Sequence, residues 1–313
     1  MKIIMDSTNF NQQIAELLYN KYVSELKSFP GVDLMDKSSF GVYINDEMKD
    51  LKCCLVVDDE KVVGVLLYSY YEDGEKGYCN IPLYGYGALL DEEKYVSMLF
   101  QKLADALKAK SKVKEILFSV NLYANDTKIQ RLFSYMQFGF QAETCIKKID
   151  VNTTNYKYKI KALSKNELEV NWKQVWKLTE AIVNHLKESP IFYPGEEFTE
   201  ELYHEFFTDE DTVVYAAFND ASEIIGIIET NAENKPFVFF KDKSANVGEI
   251  YVLPQYRGSG LASELLYFAE ESVNKQGVSN LWVEHGTANP NARGFWNKYF
   301  DTYTYEMIRT INI

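Results

Sequence analysis

The sequence predicts an α/β (α+β) chain of two domains. Three observations carry that expectation. The chain has 313 residues, 46% of them apolar and 15% aromatic, which suits two cores of ordinary domain size. Strand-like and helix-like segments alternate clearly through the second half, and the first half repeats the same order more faintly.

From Lys157 onward the elements follow in the order β, α, α, β, β, β, α, β, α, β. NELEVNWKQVWKLTEAIVNHLKE (166–188) carries apolar residues at helical spacing, and TEELYHEFF (199–207) reads as a short helix after the turn SPIFYPG. TVVYAAF and EIIGIIET, separated by NDAS, read as a hairpin. The strand NVGEIYVL (246–253) precedes a helix over 260–276 whose Leu261, Leu265, Phe268, Ala269 and Val273 share one face. NLWVEH, the helix NARGFWNKY (291–299) and the alternating strand YTYEMIRTINI complete the order.

In the first half, CCLVVDDEKVVGVLLYSYY matches the later hairpin, with Gly64 answering Gly226, and LFSYMQFGF answers GFWNKYF. Gly64 to Phe140 is 76 residues and Gly226 to Phe300 is 74. A matching order at nearly constant offset indicates an internal duplication. The polar stretch VNTTNYK (151–157) places the boundary, giving domains 1–152 and 153–313.

Net charge is −13, made of −4 over residues 1–150 and −9 over 151–313. Such a chain repels phosphate backbones, so nucleic acid is not an expected partner. The four cysteines (Cys53, Cys54, Cys79, Cys145) have no CxxC spacing and only three histidines could join them, so no metal site is expected and the thiols read as reduced. No apolar run approaches the roughly 20 residues of a membrane span, and MKIIMDSTNFNQQ lacks signal-peptide order. A cytoplasmic protein without a membrane partner is expected.

The stretch QYRGSGLA (255–262) lies between a strand and a helix. Amides of a helix's first turn have no internal partner and carry the positive end of its dipole, while glycines let a phosphate approach the backbone. Arg257 adds a formal charge suited to a diphosphate. A tight turn in which Gly258 and Gly260 only relieve strain has the same spacing. There is no GxxxxGK[ST], and Leu261, Ala262 and Ser263 break a GxGxxG pattern.

VLPQYRGSGLASELL resembles motif A of the GNAT acyltransferase superfamily, through Gln255, Gly258 and Gly260. NPNARGFW matches the family's later Asn-x-x-Ala-x-x-Phe segment through Asn289, Ala292 and Phe295. The resemblance implies two GNAT-like domains, each a mixed, mostly antiparallel sheet flanked by helices, and acetyl-CoA as co-substrate. The backbone of Arg257, Gly258, Ser259, Gly260, Leu261 and Ala262 would then hold the pyrophosphate. Val252 would pair with the pantetheine arm and Asn289 would hydrogen-bond it. Asn289 also fits the N-cap of the helix that follows.

Transfer to an amine needs a base and an acid. Glu249 is the leading base candidate by its position on the cofactor strand, sharing a face with Tyr251 by period-two alternation; a strand glutamate with no catalytic task is the alternative. Where the family often has a tyrosine as acid, this sequence has Trp296, which cannot ionise. Tyr299, Tyr251 and His285 are the candidates left.

The first half has YGYGALLDEEKY in place of QYRGSGLA, and Asp91, Glu92 and Glu93 would repel a pyrophosphate, although Tyr135 keeps a tyrosine-like position. It reads as a degenerate copy without cofactor. EEFTEELYHEFFTDED (196–211) holds eight acids and no Lys or Arg, which would steer a cation or form a solvated face. The expected activity is acetyl transfer to a primary amine of a small, cationic or peptidic acceptor. A non-catalytic acyl-CoA sensor and a tandem-GNAT aminoacyl or thiol-conjugating transferase are the alternatives.

Overall fold

The computed structural model describes residues 1–5, 9–150, 155–188, 198–232, 236–239 and 243–313. It divides into two compact units: Met1–Thr144 with Thr302–Ile313, and Cys145–Asp301. Each has strands interleaved with helices in the duplicated order.

In the first unit the chain runs through β1 (Lys2–Ile4), α1 (Asn11–Leu26), α2 (Lys37–Glu47), β2 (Lys52–Asp58), β3 (Lys61–Asp73), β4 (Lys76–Ile81), β5 (Tyr86–Ala88), α3 (Glu92–Lys110), β6 (Glu115–Tyr123) and α4 (Thr127–Tyr135) to β7 (Gly139–Lys148), whose residues from Cys145 on belong to the second unit. The β2–β3 hairpin closes on Asp58↔Lys61, with Asp59 and Glu60 both at positive φ. That backbone matches strand twist and is tolerated here without glycine. β4 and β6 are parallel and stay paired over six positions, from Lys76↔Glu115 to Ile81↔Val120.

The second unit contains β8 (Lys159–Ala162), α5 (Lys165–Lys187), α6 (Glu200–Thr208), β9 (Thr212–Phe218), β10 (Ile224–Asn231), β11 (Ser244–Val247), β12 (Tyr251–Val252), α7 (Leu261–Lys275), β13 (Asn280–Gly286) and α8 (Pro290–Trp296). A capping box between Ser164 and Glu167 starts α5, and Thr199 caps α6. Every residue of β10 is buried, as a central strand covered on both faces requires. One face packs on α7 and α8 through Leu265, Leu266, Ala269 and Trp296. The other packs on α5 and α6 through Val175, Leu178, Tyr203 and Phe207. The sheet is mainly antiparallel, with the β11–β13 pair parallel.

Three expectations need correction. The strand expected over 246–253 is interrupted. Thr230 pairs with Val247 and Ile227 with Tyr251, so three residues (Gly248, Glu249, Ile250) face two on β10; this is a β-bulge. The helix expected over 291–299 ends at Trp296. The boundary at 152/153 also differs from the observed division, because β14 (Asp301–Asn312) pairs antiparallel with β6 over nine positions, Thr304↔Tyr123 to Asn312↔Glu115. Residues 302–313 therefore complete the first unit's sheet. Period-two alternation identifies such a strand but says nothing about which neighbour it will find.

Candidate functional site

The bulge and the short parallel pairing create the site. β11 and β13 pair only from Ser244↔Asn280 to Asn246↔Trp282. Beyond that point the strands part, and a cavity of about 720 Å³ opens between Gly248–Val252 and Trp282–Gly286. In the first unit the corresponding β4 and β6 remain zipped for three positions more.

Val252 presents its backbone to this opening. The Leu253 amide donates to the Ile225 carbonyl at 3.0 Å. Hydrogen-bonded and non-bonded pairs alternate along an antiparallel ladder, so the neighbouring pair Gly226↔Val252 is a non-bonded one and the peptide groups of Val252 point away from β10. Its carbonyl accepts from Arg257 Nε at 3.1 Å. The Arg257 guanidinium also lies over the Tyr251 ring, 5.1 Å from its centroid.

The glycine turn has the geometry a close ligand needs. Gly258 and Gly260 have φ of +75° and +93°, and a Cβ at either would meet no atom within 4 Å. They are glycines for backbone conformation, with open space in front of them. Gly260 occupies the N-cap of α7, where no side chain caps the first turn. Ser259 secures the turn by donating from Oγ to the Tyr256 carbonyl at 2.6 Å. The Leu261 side chain is buried in the core, while Ala262 lines the cavity.

Asn289 also lines the cavity and caps α8: its Oδ1 accepts from the Asn291 and Ala292 amides at 3.1 and 3.2 Å. Trp296 is buried, packing against Phe295 and Phe300. The structure does not bring Tyr299 to the site. Its hydroxyl is 2.5 Å from Ser263 Oγ on α7, and it is not part of the cavity wall. His285 is buried on that wall, its Nε2 3.8 Å from Cys145 Sγ.

Glu249 and Tyr251 both line the cavity. Glu249 Oε1 accepts the Tyr203 hydroxyl at 3.1 Å. Burial pushes the Glu249 carboxyl up, against the Tyr203 hydrogen bond, which lowers it. Burial and the Glu249 charge push the Tyr203 hydroxyl up in turn.

Sequence reasoning missed Glu229, Tyr203 and Trp282. Glu229 is buried on β10, lines the cavity, and accepts the Glu249 amide at 3.0 Å. Burial first, then the Glu249 charge, push its carboxyl up to about 8, with the Glu249 amide opposing. The legible signal was one charge inside the otherwise apolar IIGIIET. Trp282 Nε1 is a buried donor on the cavity wall with no partner among the described residues.

None of the described acidic side chains of the 196–211 segment lines the cavity. Glu196 and Glu197 fall outside the described residues. Of the rest, only Phe206 lines the cavity, and Glu200 accepts from Trp172 Nε1 at 2.8 Å. In the first unit, Asp91 takes the N-cap of α3 in a left-handed conformation, and Lys21 bridges Glu25, Glu92 and Asp126 at 2.9, 3.0 and 2.5 Å. Tyr135 is exposed. All four cysteines are buried thiols outside any disulfide, and no described helix is long and apolar enough to cross a membrane.

The acetyltransferase (GNAT) family matches residues 179–301. A GCN5-related N-acetyltransferase from Sphaerobacter thermophilus superposes with a TM-score of 0.56 at 11% identity, covering 100% of this chain and 96% of that one. A GCN5-related glucosamine N-acetyltransferase region of a fungal multi-domain β-N-acetylglucosaminidase gives 0.53 at 12%, covering 98% of this chain and 38% of that one. A tandem GNAT protein from the clavulanic acid biosynthesis pathway gives 0.47 at 13%, covering 99% and 98%. No curated protein matches the chain in sequence. At these identities the structural likeness is one of fold. Residues 179–301 are thus the part of this chain that matches the acetyltransferase (GNAT) family.

Proposed function

We propose that the second unit transfers an acetyl group from acetyl-CoA to a primary amine of a small, cationic or peptidic acceptor, and that the first unit binds no acyl-CoA. The observation that carries this reading is the parting of β12 from β13 beside an open, uncapped glycine turn. The backbone of Val252 faces that opening: its carbonyl is held by Arg257 Nε, and its amide, which points away from β10, can pair with an extended amide-bearing arm. The amides from Arg257 to Ala262 would receive the pyrophosphate, with two positive-φ glycines keeping side chains out of its way. Asn289, whose Oδ1 is occupied as a cap, still has its Nδ2 donors for the arm.

The residues of the acceptor side manage protons. An ammonium must lose a proton before its nitrogen can attack, and Glu249, raised by burial, is the group to take it. Bound acetyl-CoA supplies the acyl carbon: the nitrogen lone pair forms the C–N bond as the C–S bond breaks, one ammonium proton goes to the carboxylate, and a second ends on the departing sulfur. The Tyr203 hydroxyl orients Glu249, and Trp282 offers a donor on the same wall.

Acetyl-CoA binding measured by calorimetry, with free-thiol release over a panel of primary amines, tests the reading. Binding of acetyl-CoA without thiol release for any amine would instead favour a sensor. The core position of Trp296 and the engagement of Tyr299 with Ser263 are the observations on that side.

A further inference from the structure

Glu229 has two oxygens in different circumstances. Oε1 holds the bulge by accepting the Glu249 amide. Oε2 is buried without a hydrogen-bond partner among the described residues, on a residue that is 2% exposed and lines the cavity. A purely structural role accounts for Oε1 alone, and a glutamine would fill it equally well. The chain also keeps room for this carboxylate: a Cβ at Gly248 would lie 2.3 Å from Oε1.

Glu249 shares the cavity wall, and among the described residues neither carboxyl has a Lys or Arg partner. Two buried carboxyls without a cation must retain a proton or take a cation from outside. A primary ammonium group suits such a pair, since it brings one charge and three donors.

We propose, building on the amine-acceptor reading above, that Glu229 and Glu249 together receive the acceptor's ammonium group and that Glu229 determines specificity for primary alkylammonium ions. The retained proton leaves as the cation arrives. The other titratable groups around the cavity are His185 from α5, Tyr203 behind Glu249, Tyr251, Arg257, and Glu284 and His285 from β13. Glu229 selects by charge and by hydrogen bonding together, so an amine neutral at pH 7 and a quaternary ammonium ion are both poor ligands.

Trp282 and Trp296 line the cavity, so tryptophan fluorescence of the full chain reports occupancy without turnover. At constant ionic strength, butylammonium chloride should give a saturable change and tetramethylammonium chloride none. Glu229→Gln, which keeps an acceptor for the Glu249 amide, should weaken butylammonium by about tenfold to a hundredfold and leave acetyl-CoA affinity within about twofold. In turnover it should raise the KM for butylamine similarly while sparing 4-methoxyaniline, which is neutral at pH 7. Equal binding of the two cations to the parent protein, or no binding of butylammonium, would overturn the proposal even if the variant failed to fold. Turnover indifferent to Glu229→Gln would overturn the receptor and leave the acetyltransferase; cation binding without thiol release would do the reverse.

Discussion

Gly248→Ala isolates the contact on which the bulge depends. The added Cβ would sit 2.3 Å from Glu229 Oε1 and 3.4 Å from Glu229 Cδ, so the carboxylate must retreat by about 1 Å to reach ordinary contact. That retreat breaks the 3.0 Å bond from the Glu249 amide. An amide left unpaired in a part-buried bulge costs about 1–3 kcal/mol. Gly248 has no positive φ, so alanine also gains roughly 0.4–1 kcal/mol by restricting the unfolded chain. The net expectation is a loss of about 1–2 kcal/mol in urea unfolding, with a raised KM for the amine and unchanged acetyl-CoA affinity. Shortening the side chain should restore the space, so Gly248→Ala with Glu229→Asp should recover stability relative to the sum of the single changes. A single variant as stable as the parent, or more so, would refute the placement of Oε1 against this glycine.

Gly260→Asp should abolish acetyl-CoA binding, since it forces a φ of +93° on a side chain at roughly 1–2 kcal/mol and sets a negative charge where the pyrophosphate enters; calorimetry reads the loss. Gly85→Ala in the first unit meets Pro82 at 2.9 Å and should lower thermal stability without touching acetyl-CoA affinity; equal loss of binding would show the halves to be misassigned. Glu249→Gln should reduce kcat by about 10²-fold with acetyl-CoA affinity unchanged, and an unaltered rate and pH profile would leave it a structural residue. Glu229 keeps its proton up to about pH 8 in the folded protein, whereas the unperturbed group releases it near 4.5. The native state therefore binds more protons in that window, and stability falls as pH rises from about 4.5 to about 8. A urea series across the window should show a shallower fall in Glu229→Gln; identical slopes would count against the raised carboxyl.

The glycine turn was legible because Gly258 and Gly260 are needed where they stand: positive φ is a backbone demand that few other residues meet. The strand before it was legible as a strand and illegible as a bulge, since one extra residue at Gly248–Ile250 depends on what β10 offers opposite. The site's most unusual group, Glu229, was visible only as a charge in an apolar run, and its meaning required knowing that both faces of β10 are covered. Tyr299 shows the converse. Helical spacing from Trp296 put it near the acid position, but α8 stops at Trp296 and the tyrosine turns to α7. The acid-rich 198–211 stretch presented charge in sequence, yet only its aromatic Phe206 reaches the cavity wall.

The placement of β14 has a consequence for the order in which the protein can mature. A ribosome finishes β6 at Tyr123 and does not begin β14 until Asp301. Until then one edge of β6 has no partner, with Ile116, Phe118, Val120 and Leu122 on the strand all destined for the interior. The half made first is thus completed last, and the half that contains the family match is fully synthesised beforehand. An open apolar edge is a pairing hazard for a nascent chain. Slowed elongation through the second half should therefore harm the yield of the first more than its own.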